Sequence, residues 1–212
     1  MKNQAESHAS SLTRDRYQRI SQVYDVMEIL PERRYISWRE RLWSLVKGPE
    51  VLEVGVGTGK NIAFYPEGVR VTGVDLTPGM LDRARKRAAI LNREVTLLLG
   101  DAQNLDLPDA SFDSVVATFV FCSVSDPVLG LRELGRVVKP DGQIFLMEHV
   151  RSEKPVVGEL MDILNPIVVR VTGANINRRT VENVRRSGLL IERVEDLGMG
   201  DIFKLIVARR KD

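Results

Sequence analysis

The chain has 212 residues, a formal net charge of +2 and a hydrophobic share of 43%, which are values typical of a globular protein in water. This length predicts one domain with a sizeable core, and the small charge argues against a nucleic-acid-binding protein. Its single cysteine, Cys122, excludes an internal disulfide. No apolar run approaches the length of a membrane span. The polar N-terminus and lone cysteine favour a cytoplasmic protein.

The first part of the chain is predicted to be helical. Apolar side chains recur at helical spacing between residues 13 and 47. Residues 1–47 are therefore expected to form a polar tail and cap helices, and residues 48–212 the main domain.

Three glycines at alternate positions, Gly55, Gly57 and Gly59, follow an apolar run over residues 51–54. With the helical pattern behind them, they predict a strand, a tight turn and a helix, the first unit of a nucleotide-binding α/β domain. Glycine lets the backbone approach a ligand where a Cβ atom would collide with it. We therefore expect the glycine loop to bind a ligand.

The glycine spacing argues against two common nucleotide loops. A phosphate-binding P-loop aligned on Gly59 and Lys60 would need a glycine at position 54 and a hydroxyl at position 61, which are Val54 and Asn61. A dinucleotide loop matches the first two glycines but has Lys60 where its third glycine belongs. The pattern that remains is E-x-G-x-G-x-G.

The next two predicted strands end in carboxylates. Residues 69–75 end in Asp75, about 20 residues beyond the first glycines, the distance expected for a carboxylate that binds ribose hydroxyls. Thr77 is predicted to cap the following helix, which would leave Asp75 free. Residues 95–99 lead to Asp101, which a turn would explain equally well. Since ligands bind at the C-terminal edge of parallel strands, we expect these groups to meet there.

The second half of the domain shows further strands and helices. A fourth strand is predicted over residues 112–119, a helix over 127–138 that ends at a Pro-Asp-Gly turn, and a fifth strand over 143–148. Residues 189–197 and 202–209 flank a glycine-rich turn, and they predict an antiparallel hairpin.

An insert over residues 151–183 separates the fifth strand from the hairpin. Its segment 156–171 is too apolar for a free surface helix, yet its charged residues argue against a membrane span. The segment is expected to roof an acceptor pocket, to dock on a membrane or a second subunit, or to pack on the core.

The ordered motifs resemble those of the class I S-adenosylmethionine-dependent methyltransferases over roughly residues 17–210. The motifs are E-x-G-x-G-x-G from Glu53, Val74-Asp75 with Met80 and Leu81, Gly100-Asp101-Ala102, and Phe112-Asp113-Ser114-Val115-Val116. Within this family the chain resembles the quinone-biosynthesis (UbiE-like) type and the methyltransferase-like thiol and phospholipid methyltransferases. That similarity is carried by residues 120–124, 147–150, 164–166 and 173–175.

The resemblance implies a doubly wound, Rossmann-like α/β fold with a seven-stranded, mostly parallel sheet and an antiparallel C-terminal hairpin. It also implies S-adenosyl-L-methionine as cofactor, released as S-adenosyl-L-homocysteine. In the resembled family the glycine loop holds the methionine moiety, Asp75 binds the ribose and Asp101 accepts from the adenine amino group. The implied cofactor-binding residues are Tyr24, Glu53, Gly55, Val56, Gly57, Asp75, Leu76, Met80, Asp101, Ala102 and Phe119.

The implied reaction needs an acid or base only if the acceptor arrives protonated. His149, after the fifth strand, is the candidate base, with a purely structural role as the alternative. Cys122 is interpreted as a small, half-buried apolar residue, because methyl transfer needs no covalent intermediate. No metal site is predicted.

The predicted function is therefore methyl transfer to a small, rather lipophilic acceptor such as a phospholipid amine, a thiol or a quinol. Peripheral membrane contact stays open as one of the roles of the insert, and no nucleic-acid partner is expected. A NAD-dependent oxidoreductase and a non-catalytic S-adenosylmethionine-binding protein stay open as alternatives. A nucleic-acid methyltransferase is disfavoured by the charge and by the lack of an N/D-P-P-Y/F motif. The oligomeric state is left open.

Overall fold

The computed structural model describes residues 11, 13–15, 17, 18, 29–198 and 200–211. Beyond the helical residues near position 15, its helices are α1 (Ile29–Trp43), a short 3₁₀ helix (Lys60–Phe64), α2 (Pro78–Ile90), α3 (Pro127–Val137), α4 (Pro155–Thr172) and α5 (Thr180–Ser187). The strands are β1 (Glu50–Val54), β2 (Arg70–Asp75), β3 (Thr96–Leu99), β4 (Phe112–Thr118), β5 (Val138–His149), β6 (Leu190–Gly198) and β7 (Phe203–Arg209).

One seven-stranded sheet organises the molecule, in the order β3-β2-β1-β4-β5-β7-β6. Strands β1 to β5 run parallel, and β7 is antiparallel to both β5 and β6. This is the predicted Rossmann-like α/β fold. The chain reverses its direction of winding between β1 and β4, and open α/β sheets bind ligands in the crevice at such a point. The register places Val54 opposite Val74 of β2 and Ala117 of β4, so these strand ends are level.

The sheet has a hydrophobic cluster on each face. In β7, Leu205 and Val207 belong to one cluster, whereas Ile206 and Ala208 belong to the other. The alternation follows from the two-residue repeat of side chains along a strand. Because both faces are covered, the inner strands read as continuous apolar runs rather than alternating ones.

The helix that follows β4 begins where the sequence predicts. Asp126 caps α3, and its Oδ1 accepts hydrogen bonds from the backbone N–H groups of Val128 and Leu129, both at 3.0 Å. Pro127 stands at the first helical position, where its missing N–H costs nothing. An N-cap carboxylate of this kind stabilises a helix by about 1 kcal/mol.

Strand β5 differs from the prediction. The Pro-Asp-Gly turn expected before it lies inside β5, because Val138 pairs with Phe112 and Gln143 already pairs with Ser114. The residues between these two pairs bulge out of the ladder. Gly142 permits the bulge, since a Cβ atom there would meet the carbonyl oxygen of Asp113 at 2.8 Å.

The helix predicted directly after the glycine loop is also shorter than expected. Only the five-residue 3₁₀ helix Lys60–Phe64 follows the loop, and Gly59 precedes it in a left-handed conformation. A 3₁₀ helix has poorer hydrogen-bond geometry than an α-helix and stays short. The backbone of the loop itself, rather than a long helix dipole, therefore faces the crevice.

Helix α4 corresponds to the apolar segment of the insert. Gly158 and Met161 are its buried residues, while most of its apolar side chains are exposed. The helix therefore packs on the rest of the chain through a narrow side and leaves most of its apolar side chains uncovered. None of the helices in the described part of the chain has the length and apolar character needed to cross a membrane.

Candidate functional site

A pocket of about 810 Å³, its open mouth included, lies where β1, β2, β3 and β4 end. Its walls come from the glycine loop, the segments after β2, β3 and β4, and the N-terminal residues Thr13 and Tyr17. Eight of the predicted site residues line it: Gly55, Gly57, Asp75, Leu76, Met80, Asp101, Ala102 and Phe119. The strand ends therefore bring together the groups that the sequence places far apart.

The glycine loop turns sharply at the start of the pocket. Gly55 has φ 71°, and a Cβ atom there would come within 2.3 Å of Cγ2 of Val120. Gly57 has φ 55° and donates its N–H to Oδ2 of Asp75 at 2.9 Å. Both positions need the left-handed conformation that glycine adopts without cost. The loop thus presents bare backbone to the pocket.

Asp75 is half-buried at the end of β2 and joins two segments of the pocket wall. Its Oδ2 accepts from Gly57 N, and its Oδ1 accepts from Thr77 N at 2.9 Å. Thr77 stands at the predicted N-cap position of α2, although it makes no side-chain cap bond. The prediction that Asp75 would be left free is wrong, because Asp75 accepts both of these backbone bonds. Burial raises the pKa of Asp75, and these hydrogen bonds oppose the rise. A carboxylate has about four acceptor positions, so Asp75 keeps capacity for a ligand.

Asp101 follows β3, and Gln103 holds it in place. Its Oδ1 accepts from the backbone N–H of Gln103 at 2.9 Å and from the side-chain amide at 3.0 Å. The Gln103 amide oxygen accepts in turn from the N–H of Asp126 at 2.8 Å. Asp101 is therefore both a turn residue and a pocket residue. Gln103 also lines the pocket, although the sequence analysis missed it.

Glu53 lies behind the glycine loop, not in the main pocket. Its Oε1 accepts from Nδ2 of Asn61 at 2.6 Å, and its Oε2 accepts from the Tyr65 hydroxyl. Asn61 accepts in turn from Arg39 at 2.6 Å. Burial raises the pKa of Glu53 to about 7. Glu53 and Val56, which is part of the loop itself, line a smaller adjoining cavity and not the main pocket.

Phe119 follows β4 in an unusual backbone conformation. Its φ of 57° lies in the left-handed region, which is a genuine outlier for a bulky side chain. Its ring lies 4.9 Å from that of Tyr35, measured between centroids. Such strain costs on the order of 1–3 kcal/mol and is concentrated at ligand sites. Phe119 lines both cavities.

The loop after Phe119 is fixed from below by a buried carboxylate. Oε1 of Glu148 accepts from the backbone N–H groups of Val120 at 2.9 Å and Phe121 at 3.1 Å. Glu148 is fully buried, and its Oε2 has no hydrogen-bond partner within the described residues. Burial raises the pKa of Glu148 to about 7. In the sequence this role is marked only by a carboxylate at the end of a predicted strand.

The insert holds the same loop from the other side. Asn175 donates its backbone N–H and its side-chain amide to the Cys122 carbonyl oxygen, at 2.9 and 3.0 Å. The Arg178 guanidinium donates to the Val124 carbonyl oxygen at 2.9 Å. The pocket wall formed by residues 119–125 is therefore tied to the segment that follows α4.

His149 ends β5 and packs edge-on against Phe203, with 5.2 Å between ring centroids. Burial lowers its pKa to about 4, so the imidazole is neutral at physiological pH. His149 is not among the residues that line the two cavities. The structure thus places the predicted base behind the pocket wall.

Cys122 is buried, and its thiol donates to the carbonyl oxygen of Phe119 at 3.4 Å. Burial raises the pKa of this thiol to about 12. A thiol that stays protonated is a poor nucleophile, in agreement with its interpretation as a small apolar residue.

An N-terminal aromatic residue does reach the pocket, but it is Tyr17. Its hydroxyl forms a hydrogen bond of 2.6 Å with the Ser123 hydroxyl. Tyr24, the predicted residue, lies outside the described part of the chain. In the sequence Tyr17 is marked only by helical spacing, which cannot tell a core residue from a pocket residue.

Comparison with known proteins gives a consistent family. Residues 52–146 match the family model described as a methyltransferase domain. The chain is 31% identical over 165 residues to the demethylmenaquinone methyltransferase of Staphylococcus epidermidis. This alignment covers 74% of this chain and 68% of that protein.

Two other relatives differ in the acceptor that they are named for. The phosphatidylethanolamine N-methyltransferase of Cereibacter sphaeroides is 39% identical over 110 residues, which is 51% of this chain and 54% of that protein. The thiol S-methyltransferase TMT1B of Rattus norvegicus is 34% identical over 143 residues, or 65% of this chain and 58% of that protein. The chain thus spans little more than half the length of these two.

Solved structures share the fold. A SAM-dependent methyltransferase from Thermotoga maritima aligns with a TM-score of 0.72 at 23% identity, covering 93% of this chain and 99% of that one. At this identity the likeness supports the architecture alone.

Proposed function

Because this chain belongs to the class I S-adenosylmethionine-dependent methyltransferases, we propose that it transfers a methyl group from S-adenosylmethionine to a small lipophilic acceptor. The observation that carries the proposal is the pocket at the strand ends, where a bare glycine loop faces two carboxylates on neighbouring strands. That arrangement suits a cofactor with hydroxyl and amino donors and a flexible polar tail.

The pocket residues fit this cofactor chemically. Asp75 keeps acceptor positions for the ribose hydroxyls beside its bonds to Gly57 and Thr77. Asp101, held by Gln103, is suited to the adenine amino group, and the apolar side chains of Leu76 and Met80 line the same pocket. At Gly55 a Cβ atom would collide with Val120, so glycine lets the loop pack against that side chain. At Gly57 a Cβ atom would meet only the Gly55 carbonyl oxygen, at 3.9 Å, so this backbone is open to the methionine end.

The chemistry asks little of the protein. The bound cofactor supplies a methyl group on a cationic sulfur and leaves as a neutral thioether. The chain therefore contributes alignment and exclusion of water, for which Phe119, Met80 and Val124 supply apolar walls. Cys122 takes no part, because its raised pKa keeps it a thiol.

A base is useful only for an acceptor that must lose a proton, such as an amine or a thiol. We keep His149 as the proposed base. Its pKa of about 4 leaves the imidazole neutral throughout the physiological range, but it is a weak base at that value. The role therefore requires that the bound acceptor raise this pKa toward the working pH. From its position behind the wall, His149 would act through a bridging water or after a shift of Phe203.

The acceptor class is supported by the apolar character of the pocket walls and by the names of the relatives, which include a phospholipid, a thiol and a quinone precursor. A phospholipid amine, a thiol and a quinol are all proposed on this basis. A cytoplasmic location stays our prediction from composition.

Calorimetric titration with S-adenosylhomocysteine, S-adenosylmethionine and NADH tests the cofactor. We expect the two adenosyl ligands to bind and NADH not to bind. Asp75→Ala should weaken S-adenosylhomocysteine binding about tenfold or more, since it removes ligand contacts and frees the loop at Gly57. The matched control is Asp82→Ala, which removes an exposed carboxylate that, among the described residues, pairs with exposed Arg85. Equal affinities for the two variants would overturn the ribose assignment.

Turnover is tested by S-adenosylhomocysteine release with phosphatidylethanolamine in detergent, 2-mercaptoethanol and a hydroquinone. Product with one of them is expected, and cofactor binding without turnover of any would favour the non-catalytic alternative. With an active acceptor, His149→Ala should lower kcat about 100-fold while leaving cofactor affinity unchanged. An unchanged rate at every pH would remove His149 from the mechanism.

A further inference from the structure

Helix α4 carries an exposed apolar stripe. Its members are Val156, Leu160, Ile163, Ile167 and Val171, which are spaced by four, three, four and four residues along the helix. Val156 is 79% exposed, and Ile163 and Val171 are each 71% exposed. Such spacing places all five on one side of an α-helix. Val157 and Leu164, which are also exposed, widen the stripe on one side.

We propose that this face of α4 lies flat on the surface of a lipid bilayer. Amphipathic helices bind in this way when an apolar stripe of aliphatic residues enters the boundary between headgroups and acyl chains. This docking goes beyond the proposed function. Only its consequence, that a lipophilic acceptor reaches the pocket from the bilayer, rests on that function.

The size of the stripe argues against a second copy of the chain as the occupant. At 1.5 Å per residue the stripe is about 22 Å long, and a helix is about 10 Å wide. It therefore offers on the order of 220 Å², well short of the roughly 800 Å² per partner of a stable interface. A bilayer surface has no such minimum, because each buried aliphatic side chain adds to binding separately.

The composition of the stripe argues against a specific protein partner. Protein interfaces are enriched in aromatic residues, methionine and arginine, whereas the stripe consists of valine, leucine and isoleucine. Exposed basic residues stand at both ends of it, Lys154 before α4 and Arg170 in the last turn. Such side chains extend to the headgroups while their stems lie along apolar surface.

The acidic residues of α4 do not oppose this arrangement. Asp162 is held by Arg151 at 2.8 Å and by Asn177 at 3.0 Å. Glu159 lies about 90° from the centre of the stripe, given about 100° per residue, and can stay in water.

Docking through α4 would also place the pocket near the lipid. The segment after α4 donates hydrogen bonds from Asn175 to the Cys122 carbonyl oxygen, in the loop that lines the pocket. Asn165 of α4 in turn donates to the Asn175 side chain at 3.2 Å and accepts from the N–H of Ile176 at 2.9 Å, so hydrogen bonds connect α4 to the pocket wall. A lipophilic acceptor dissolved in the bilayer would then lie close to the enzyme that methylates it.

Vesicle flotation of the full chain tests the docking. Vesicles of phosphatidylcholine alone, and of phosphatidylcholine with phosphatidylglycerol, are compared for the wild type and for the double variant Ile163→Glu with Ile167→Glu. We expect the wild type to float, most on the anionic vesicles, and the double variant to lose about tenfold or more of the bound fraction. The matched control is Ile90→Glu, on α2, whose side chain is 83% exposed; it should float like the wild type.

Calorimetric titration with S-adenosylhomocysteine shows whether each variant is folded and separates the two proposals. Affinity within about twofold of the wild type is expected for both variants, since neither changes a pocket residue. A wild type that stays in the aqueous fraction, or a double variant that floats equally well, would overturn the docking. A wild-type dimer that the double variant converts to monomer would assign the stripe to a second copy. Failure of cofactor binding with intact flotation would instead overturn the proposed function.

Discussion

Two buried carboxyl groups hold the backbone around the pocket. Glu53 binds Asn61 and Tyr65 behind the glycine loop, and Glu148 binds the N–H groups of Val120 and Phe121. The sequence predicts Glu53 through its motif. For Glu148 the sequence shows only a polar residue at a strand end. Its partner Val120 is 28 residues away, and neighbouring residues carry no information about so distant a contact.

Glu148→Gln should make stability less dependent on pH. The pKa of Glu148 is raised from 4.5 to about 7, so between these values the folded chain holds a proton that the unfolded chain has lost. The free energy of unfolding therefore falls as pH rises through this range. A raised pKa of this size corresponds to a loss on the order of 2–3 kcal/mol. Glutamine imitates the neutral acid and avoids that loss.

Urea unfolding at about pH 5 and about pH 8 measures the effect. Relative to the wild type, the variant should gain stability at the higher pH. Other carboxyl groups also change the free energy of unfolding with pH, but they do so equally in both proteins and cancel in the difference. Parallel pH profiles for the two proteins would show that Glu148 is ionised in the folded state over the whole range.

At the scale of elements, capping and turn residues predict a boundary correctly where neighbouring residues alone determine it. The start of α3 follows from Asp126 and Pro127, which act on neighbouring backbone. The Pro-Asp-Gly stretch carries the same kind of turn signal, yet it forms a bulge because the two flanking segments both pair with β4. The contact of α4 with its surroundings was also left open by the sequence, since periodicity shows an apolar face but not what covers it.

Asn175→Ala should loosen the tie between the insert and the pocket loop. It removes the side-chain hydrogen bond to the Cys122 carbonyl oxygen and the bond to Asn165. We expect a loss of about 1–2 kcal/mol in the free energy of unfolding and faster amide hydrogen exchange over residues 119–125. Asn177→Ala is the control. Among the described residues, the Asn177 side chain forms a hydrogen bond with exposed Asp162 and none with the pocket loop. Equal exchange in both variants would mean that the backbone bonds alone hold the loop.

At the scale of the whole molecule, the order of strands decides where the site lies. Five parallel strands and a reversal of winding between β1 and β4 put four ligand-facing segments at one edge of the sheet. The family resemblance implies the seven-stranded, mostly parallel sheet with its antiparallel hairpin, whereas the order of the strands comes from the structure. The sequence does not predict the hydrogen bond between Tyr17 and Ser123, since helical spacing alone does not say which distant segment a side chain meets.

Strand β7 links the two halves of the core, so its buried side chains should matter more than its place near the end of the chain suggests. It lies between β5 and β6, with Ile206 in one cluster and Leu205 in the other, both fully buried. Ile206→Ala and Leu205→Ala should each lower the free energy of unfolding by roughly 2–5 kcal/mol. Val194→Ala on β6 is the control; its side chain is 40% exposed, so its loss should stay below about 1 kcal/mol.

Urea denaturation with an unchanged m-value would attribute the losses to packing in one cooperative unit. If the two β7 variants lose no more than the β6 control, the hairpin unfolds separately from the sheet. The variants should keep their S-adenosylhomocysteine affinity under conditions where they are folded, because Leu205 and Ile206 do not line the pocket. Reduced affinity in the folded variants would instead mean that β7 packing sets the position of the strand ends that form the pocket.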